Sequence, residues 1–226
     1  LPVDREEQEE LRAYIASEET RLLGDLQALI PTELLPFKTY KGWPKDLREA
    51  VKAAGLYVKN CKPEEFPEIV RESDYELTNG DGLLLIKHLP FNPNSSQQLL
   101  AYIEHCGYEV PLHIDTGRPT TGKEEIQKLI EQTDDEVLKL AERLRKLTKL
   151  GGTYCSGDWV PGPDGRVHGQ FRFGTASGQT SCTSPNVQQF PEHFNKDDEW
   201  LAEIGQRIKG CIRAEPGHKL VKVDAR

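Results

Sequence analysis

Asp164 to Pro191 reads DGRVHGQFRFGTASGQTSCTSPNVQQFP. Alternating runs such as RVHGQFRF, set among Gly, Ser, Thr and Pro, predict a hairpin followed by an ordered loop. Downstream, Trp200 to Cys211 has the apolar spacing of a helix, and HKLVKVDA, from His218 to Ala225, reads as a buried strand. Upstream, between Thr133 and Leu150, Val137, Leu138, Leu140, Ala141, Leu144, Leu147 and Leu150 make a broad apolar stripe. Lys139, Arg143, Arg145, Lys146 and Lys149 project elsewhere. Fewer than about three heptads are sustained, so the stripe packs within a domain rather than in a coiled coil. Gly151 and Gly152 are expected to end the helix.

Nearer the N-terminus, Leu11, Tyr14, Ile15, Leu22, Leu23, Leu26, Leu29 and Ile30 recur at helical spacing from Arg5 until Pro31 stops them. Residues 37 to 90 are mixed. They hold a short helix near Asp46 to Ala54, an extended run GLYVKN, and a turn at Asn79, Gly80, Asp81 and Gly82 that leads into LLLIKHL. We read this stretch as an inserted subdomain. Ser95 begins a helix near Ser96 to Cys106, and Thr121 is expected to cap another that opens with Lys123, Glu124 and Glu125.

With 36% hydrophobic and 29% charged residues, the 226-residue chain has the composition of an ordinary globular protein. No window approaches the roughly 18 uninterrupted apolar residues of a membrane span, and the N-terminus lacks the basic and apolar regions of a signal peptide. The expectation is an intracellular setting with no membrane partner. Cys61, Cys106, Cys155, Cys182 and Cys211 form no C-x-x-C pair, and an odd count at wide spacing argues against a disulfide framework or a zinc site. They are read as reduced, mostly buried side chains. The chain has no methionine and stops in the apolar run LVKVDAR, so it is expected to be a fragment.

The net charge of −8 divides unevenly: residues 1 to 138 carry 15 Lys and Arg against 27 Asp and Glu, whereas residues 139 to 226 carry 14 against 10. Nucleic-acid recognition depends on local charge rather than the total, which makes the C-terminal part the better candidate for such a partner. There, Asn186 and Gln188 present neutral amides that can donate to the purine N3 and pyrimidine O2 acceptors of the minor groove. Such donors check pair geometry without reading sequence. Taken alone, an Asn after Pro is a turn former.

The stretch from Asp164 to Pro191 resembles the family A DNA polymerase segment in which a strand G-R-x-H-x-x-F precedes a T-G-R motif and then P-N-L-Q-N. RLRKLTKLGGTY is similar to the end of that family's thumb helix, FNPNSSQQL to a motif F-N-x-N-S-x-x-Q-L, and the opening LPVD to the start of the thumb. IRAEPGHKLVKVDAR is similar to the run that delivers the first catalytic aspartate. The matches occur in order over nearly the whole chain, with residues 37 to about 90 unmatched.

The resemblance implies an α+β fold: a thumb base helix at 1–36, the inserted subdomain at 37–90, thumb helices at 91–157, and the first part of a palm sheet at 158–226. It implies a DNA-directed DNA polymerase of replication or repair, acting in the cytoplasm, or in a host's cytoplasm if phage-encoded. Primer-template DNA and, in the complete enzyme, a deoxynucleoside triphosphate are the implied partners. Phosphoryl transfer to a primer end needs fixed carboxylates that hold two divalent metals, and hard oxygen ligands suit magnesium. By resemblance Asp224 is the first of these carboxylates, catalytic and Mg2+-binding, with the Ala225 carbonyl an auxiliary ligand. Arg145, Lys149, Thr153 and Tyr154 match positions that face the duplex backbone, where phosphates need cations and hydroxyls. Gln179, Ser181, Asn186 and Gln188 match positions near the growing primer end.

The chain departs from the pattern in several places. Gln179 stands where the family's T-G-R motif has an arginine, and Gly151 and Gly152 replace a lysine and a small polar residue. Nothing in these 226 residues matches the fingers helix, the H-D-E motif that supplies the second aspartate, or the paired carboxylate motifs of a proofreading exonuclease. One aspartate cannot hold two metals, so the chain alone is expected to be inactive unless a C-terminal partner chain completes the site. A processivity factor is one reading of what the insertion binds. Two rivals stand beside the polymerase. GRPTTGK, Gly117 to Lys123, fits a P-loop nucleotidase pattern, although Glu124 replaces its Ser or Thr and Pro119 lies inside the loop. Otherwise the same loop is the thumb tip, with Arg118 and Lys123 near phosphates. The second rival is a non-catalytic DNA-binding or helical interaction module. The isolated His168 and His193 receive no ligand role.

Overall fold

The computed structural model describes residues 1–40, 43–53, 63, 74–80, 82–173, 178–188, 198–219 and 221. Helices and two small antiparallel sheets make up an α+β architecture that divides into two compact units: Leu1–Asp25 with Lys139–Arg226, and Leu26–Leu138. The chain passes between them within two helices, α1 (Arg5–Leu29) and α5 (Glu136–Tyr154).

In the first unit, LPVD does two jobs. Leu1 and Val167 exchange backbone hydrogen bonds of 2.8 Å, Val3 N donates to Gly165 O, and Asp4 N donates to Cys211 O, so the segment is laced to two distant parts of the chain. The Asp4 carboxylate then accepts from Glu7 N at 3.2 Å, satisfying one of the orphan donors at the start of α1. Gln8, one turn later and only 6% exposed, donates through Nε2 to the carbonyls of Tyr154 (3.1 Å) and Trp159 (2.9 Å). Those carbonyls close α5 and the short 3₁₀ turn Gly157–Trp159, so one buried amide ties three segments together.

Six of the seven positions of the stripe predicted for α5 are buried, Val137, Leu138, Ala141, Leu144, Leu147 and Leu150, while Leu140 is half-buried. The helix does not stop at Gly151 and Gly152, however, and runs on to Tyr154. Gly151 lies one turn beyond Leu147, and a Cβ there would lie 2.9 Å from Ile15 Cγ2. The glycine is needed for close approach of α5 to α1, and tertiary packing outweighs its poor helix propensity.

Opposite α5 lies helix α6 (Glu199–Gly210), capped by the Asp198 side chain accepting from Leu201 N; the sequence placed it one residue later at each end. Arg143 of α5 stacks over Trp200 at 4.2 Å, the Trp200 indole N–H donates to Tyr14 OH at 2.8 Å, and Arg207 lies over the Tyr14 ring at 5.3 Å. Cations held this way join the three helices of the unit through side chains that also touch solvent.

Within Leu26–Leu138, three antiparallel strands lie in the order β1 (Phe37–Tyr40), β3 (Gly82–His88), β2 (Tyr75–Gly80), with helix α2 (Lys45–Ala53) between the first two in sequence. Gly80 pairs with Gly82, so three of the four residues of the predicted turn lie in the strands instead, and Asp81 is outside the described residues. Leu47, Tyr75 and Leu85 form a small core flanked by Tyr40 and Trp43. GLYVKN lies outside the described residues. The FNPNSSQQL stretch is a backbone-clamping device: Gln27 brackets Phe91 with two 2.7 Å hydrogen bonds, Gln98 Oε1 accepts from Asn92 N, and Ser95 caps α3 (Ser96–His105). Helix α4 (Lys123–Thr133) starts from Gly122 rather than from Thr121, whose hydroxyl is drawn away to Ser96 Oγ at 2.8 Å. Asp134, left-handed at φ 53°, ends α4. Asp135 caps α5 through Leu138 N and accepts from the phenols of Tyr102 and Tyr108.

The buried strand expected at His218 to Ala225 is not found in its described part. His218, Lys219 and Val221 carry no strand, and Val221 is 79% exposed. None of these three pairs in a sheet with another described residue. Leu220 and residues 222–226 lie outside the description, as does Cys61.

Two outcomes follow from these contacts. Gly152 has open space where a Cβ would go, so Gly152→Ala should stabilise the chain by up to about 1 kcal/mol. Gly151→Ala must displace buried Ile15 and should destabilise it by about 1–3 kcal/mol, both read as shifts in urea midpoint. Burial pushes the Cys155 and Cys211 thiols up to about 11, so stability they contribute is complete below the free thiol value near 9 and is lost as pH rises through 11. Alkylation at pH 8 should accordingly modify Cys106 before any other described cysteine, with Cys155 and Cys211 reacting only on unfolding.

Candidate functional site

The acceptor-reading residues suggested by sequence lie on and beside a two-stranded antiparallel ribbon, β4 (Gln170–Arg172) and β5 (Ser181–Thr183), in register Gln170↔Thr183, Phe171↔Cys182, Arg172↔Ser181. A tight turn follows β5. Ser184 adopts φ 52°, the Ser184–Pro185 bond is cis, and the Cys182 thiol donates to Pro185 O at 3.3 Å. Gly169, one residue before β4, is what lets the turn fold back. A Cβ on it would fall 2.6 Å from Cys182 Sγ, 2.9 Å from Pro185 O and 3.3 Å from Val187 Cγ1.

The turn then presents its amides. Asn186 Oδ1 accepts from Gln188 N at 3.1 Å, which fixes the side chain against its own backbone and leaves the Nδ2 hydrogens for another acceptor. Gln188 Nε2 donates one of its two hydrogens to Thr180 Oγ1 at 3.1 Å. Gln179, Thr180 and Gln188 are exposed and Ser181 and Asn186 half-buried, so four of the residues suggested by sequence, together with Thr180, are gathered within one ribbon and its turn. Thr180 was not singled out from sequence, nor was Gly169. Neither has a sequence signal, because each acts through a partner more than seven residues away.

Arg145, Lys149 and Thr153 recur every four residues along α5 and share one side of it. Lys149 and Thr153 are exposed; Arg145 is half-buried, and desolvation lowers its pKa without removing its charge. Tyr154 faces elsewhere. Its ring packs on Trp159 at a centroid distance of 5.6 Å, and burial raises its phenol pKa. A shallow groove of about 270 Å3 runs between α1 and α5, lined by Arg12, Ile15, Ala16, Glu19, Thr148 and Gly151 among others.

Asp224 and Ala225 lie outside the described residues. Among those described, no group of three His, Cys, Asp or Glu side chains is placed to hold a metal ion. The GRPTTGK loop closes on itself instead of opening a phosphate cradle. Leu112 bridges Pro119, Gly117 N donates to His113 O, Thr120 N to Pro111 O, and Gly122 N to Thr120 Oγ1, so three of the loop's N–H groups are already engaged within the chain. His168 pairs with Asp164 at 2.7 Å, and His193 is outside the description. No described helix is long and apolar enough to cross a membrane.

Comparison with known proteins adds independent information. The sequence profile of DNA polymerase family A matches residues 78–226. A DNA polymerase of Bacillus phage SP01 is 26% identical over 198 residues, covering 86% of this chain and 20% of that protein. DNA polymerase I of Caldicellulosiruptor bescii is 31% identical over 139 residues, 59% of this chain and 15% of that one. The chain thus spans a fifth or less of the length of these two relatives. Among solved structures, the polymerase domain of Pol1 from M. smegmatis, in complex with DNA primer-template and dNTP, shares the fold at a TM-score of 0.53 and 20% identity, over 97% of this chain and 27% of that one.

Because the turn depends on Gly169, Gly169→Ala should lower stability by on the order of 1–3 kcal/mol. It should also move the Asn186 and Gln188 side-chain amide resonances in an NMR spectrum, whereas Gly152→Ala, at a helical site with open space, should leave those resonances in place.

Proposed function

Because this chain belongs to DNA polymerase family A, we propose that it is the part of a DNA-directed DNA polymerase that grips primer-template DNA and carries the first catalytic aspartate to the growing end. The observation that supports this best is the amide turn after β5. Asn186 is held by its own backbone with Nδ2 hydrogens to give, and Gln188 keeps one. Every base pair offers minor-groove acceptors at similar positions, so donors fixed in this way suit a site that must accept any correct pair.

In this reading residues 1–36 and 91–157 belong to the thumb, 37–90 is an insertion, and 158–226 begins the palm. Lys149 and Thr153, on one exposed side of α5, give a cation and a hydroxyl to backbone phosphates, with half-buried Arg145 adding charge along the same side. Tyr154 holds the end of the helix by packing on Trp159. Gln179 and Ser181 approach the primer end from the ribbon. The M. smegmatis neighbour, solved with primer-template and dNTP, supports the same partners for the protein this chain is part of.

Asp224 and the Ala225 carbonyl are proposed as Mg2+ ligands, hard oxygens of the kind that ion takes. A single carboxylate does not fit a two-ion site, and the described residues add no metal-binding group, so the remaining ligands and the nucleotidyl transfer itself belong to further parts of the polymerase. The chain on its own is expected to bind DNA without extending it.

Binding to a labelled primer-template, a blunt duplex and a single strand across a salt series tests the proposal. Preference for primer-template, a steep fall of affinity with salt, and a loss on the order of tenfold in Asn186→Ala with Gln188→Ala are the expected results. Binding of all three forms only in the nonspecific range of roughly 10⁻⁴ to 10⁻⁶ M would reject it.

A further inference from the structure

We infer that Arg172 is a phosphate-binding residue of the ribbon, forming with Ser181 a contact to the nucleic-acid backbone beside the amide turn. The inference rests on the DNA-binding reading above and adds a residue to it.

Arg172 differs from the other described arginines of residues 139–219. Arg143 is committed to Asp198 and Trp200, Arg166 to Glu215, Arg207 to Glu7, and Arg213 to Asp4. Arg145 is half-buried in its helix and also engaged. Arg172 is exposed, and among the described residues no carboxylate or carbonyl takes its guanidinium. Its setting makes this unusual. From Gly165 to Pro191 the chain has not one Asp or Glu, although it carries 37 acids in all. A cation with no counter-ion and no acid on its own segment keeps its full attraction for an external anion.

The register supplies the second half of the contact. Arg172 lies directly across from Ser181, and directly opposed residues of an antiparallel pair project from the same face. Exposed Gln170 and Thr183 share that face, so it presents a guanidinium, an amide and two hydroxyls. Phe171 opposes Cys182 and projects from the other face, with Phe173 two residues further. The ribbon therefore separates a polar, cationic side from an aromatic one. A forked guanidinium with hydroxyls alongside matches the tetrahedral oxygens of a phosphodiester, and carries charge without base preference.

The test is the salt dependence of primer-template binding by the 226-residue chain, wild type against Arg172→Gln, Arg172→Lys and, as a control, Arg166→Gln, with circular dichroism to confirm folding. Each phosphate contact adds about 0.9 to the slope of log K against log salt. Arg172→Gln should reduce the slope by about that amount on every DNA sequence. Arg172→Lys, which keeps the charge, should restore it, and Arg166→Gln should leave it unchanged. A folded Arg172→Gln with the wild-type slope overturns the inference alone. A wild-type chain with no salt-sensitive binding overturns both it and the reading it rests on.

Discussion

The Leu1–Asp25 and Lys139–Arg226 unit depends on one buried amide. Gln8 is the sole buried polar side chain among the described residues, and its Nε2 reaches the carbonyls of Tyr154 and Trp159. The last carbonyls of a helix have no partner within the helix, and burying them without one costs about 1–3 kcal/mol each. A single amide nitrogen with two hydrogens answers two such carbonyls at once, at the point where α5 gives way to the strand-forming segment. LPVD sets where Gln8 stands, because its backbone is paired to residues 165–167 and 211 while Asp4 starts the helix. Helix α5 and the ribbon that follows it are thus anchored by the opening eight residues.

From that anchor the ribbon is built by subtraction. Gly169 removes a side chain so that Cys182, Pro185 and Val187 can close over it, with the Cys182 thiol bonded to the Pro185 carbonyl just before Asn186. Asn186 and Gln188 are held by bonds to a backbone N–H and to Thr180. Donors fixed before a ligand arrives lose less entropy on binding than donors on free side chains.

Much of this was legible beforehand, for reasons that particular residues make plain. Periodicity found α1, α5 and α6 because their buried faces are continuous, and Ser95 announced α3 because a cap acts on its own next turn. Thr121 was misread since its hydroxyl answers a residue twenty-five positions away, and nothing local says so. Gly151 was taken as a stop because helix propensity is local while the proximity of Ile15 is not. Within the candidate site, the amides were readable from residue type and order. Their fixing by Gly169 and Thr180, and the placing of Arg172 across from Ser181, required the strand register.

The space beneath the turn also has a bearing on how such sequences diverge. Residues 169, 182 and 187 share one small volume, occupied by a thiol, a valine methyl and no third side chain. A lineage that gained a methyl at 169 would need less volume at 182 and 187, and even then would meet the Pro185 carbonyl 2.9 Å away, a backbone atom that no substitution trims. Position 169 is therefore the one this packing leaves least room to change, whereas 182 and 187 can shrink without it.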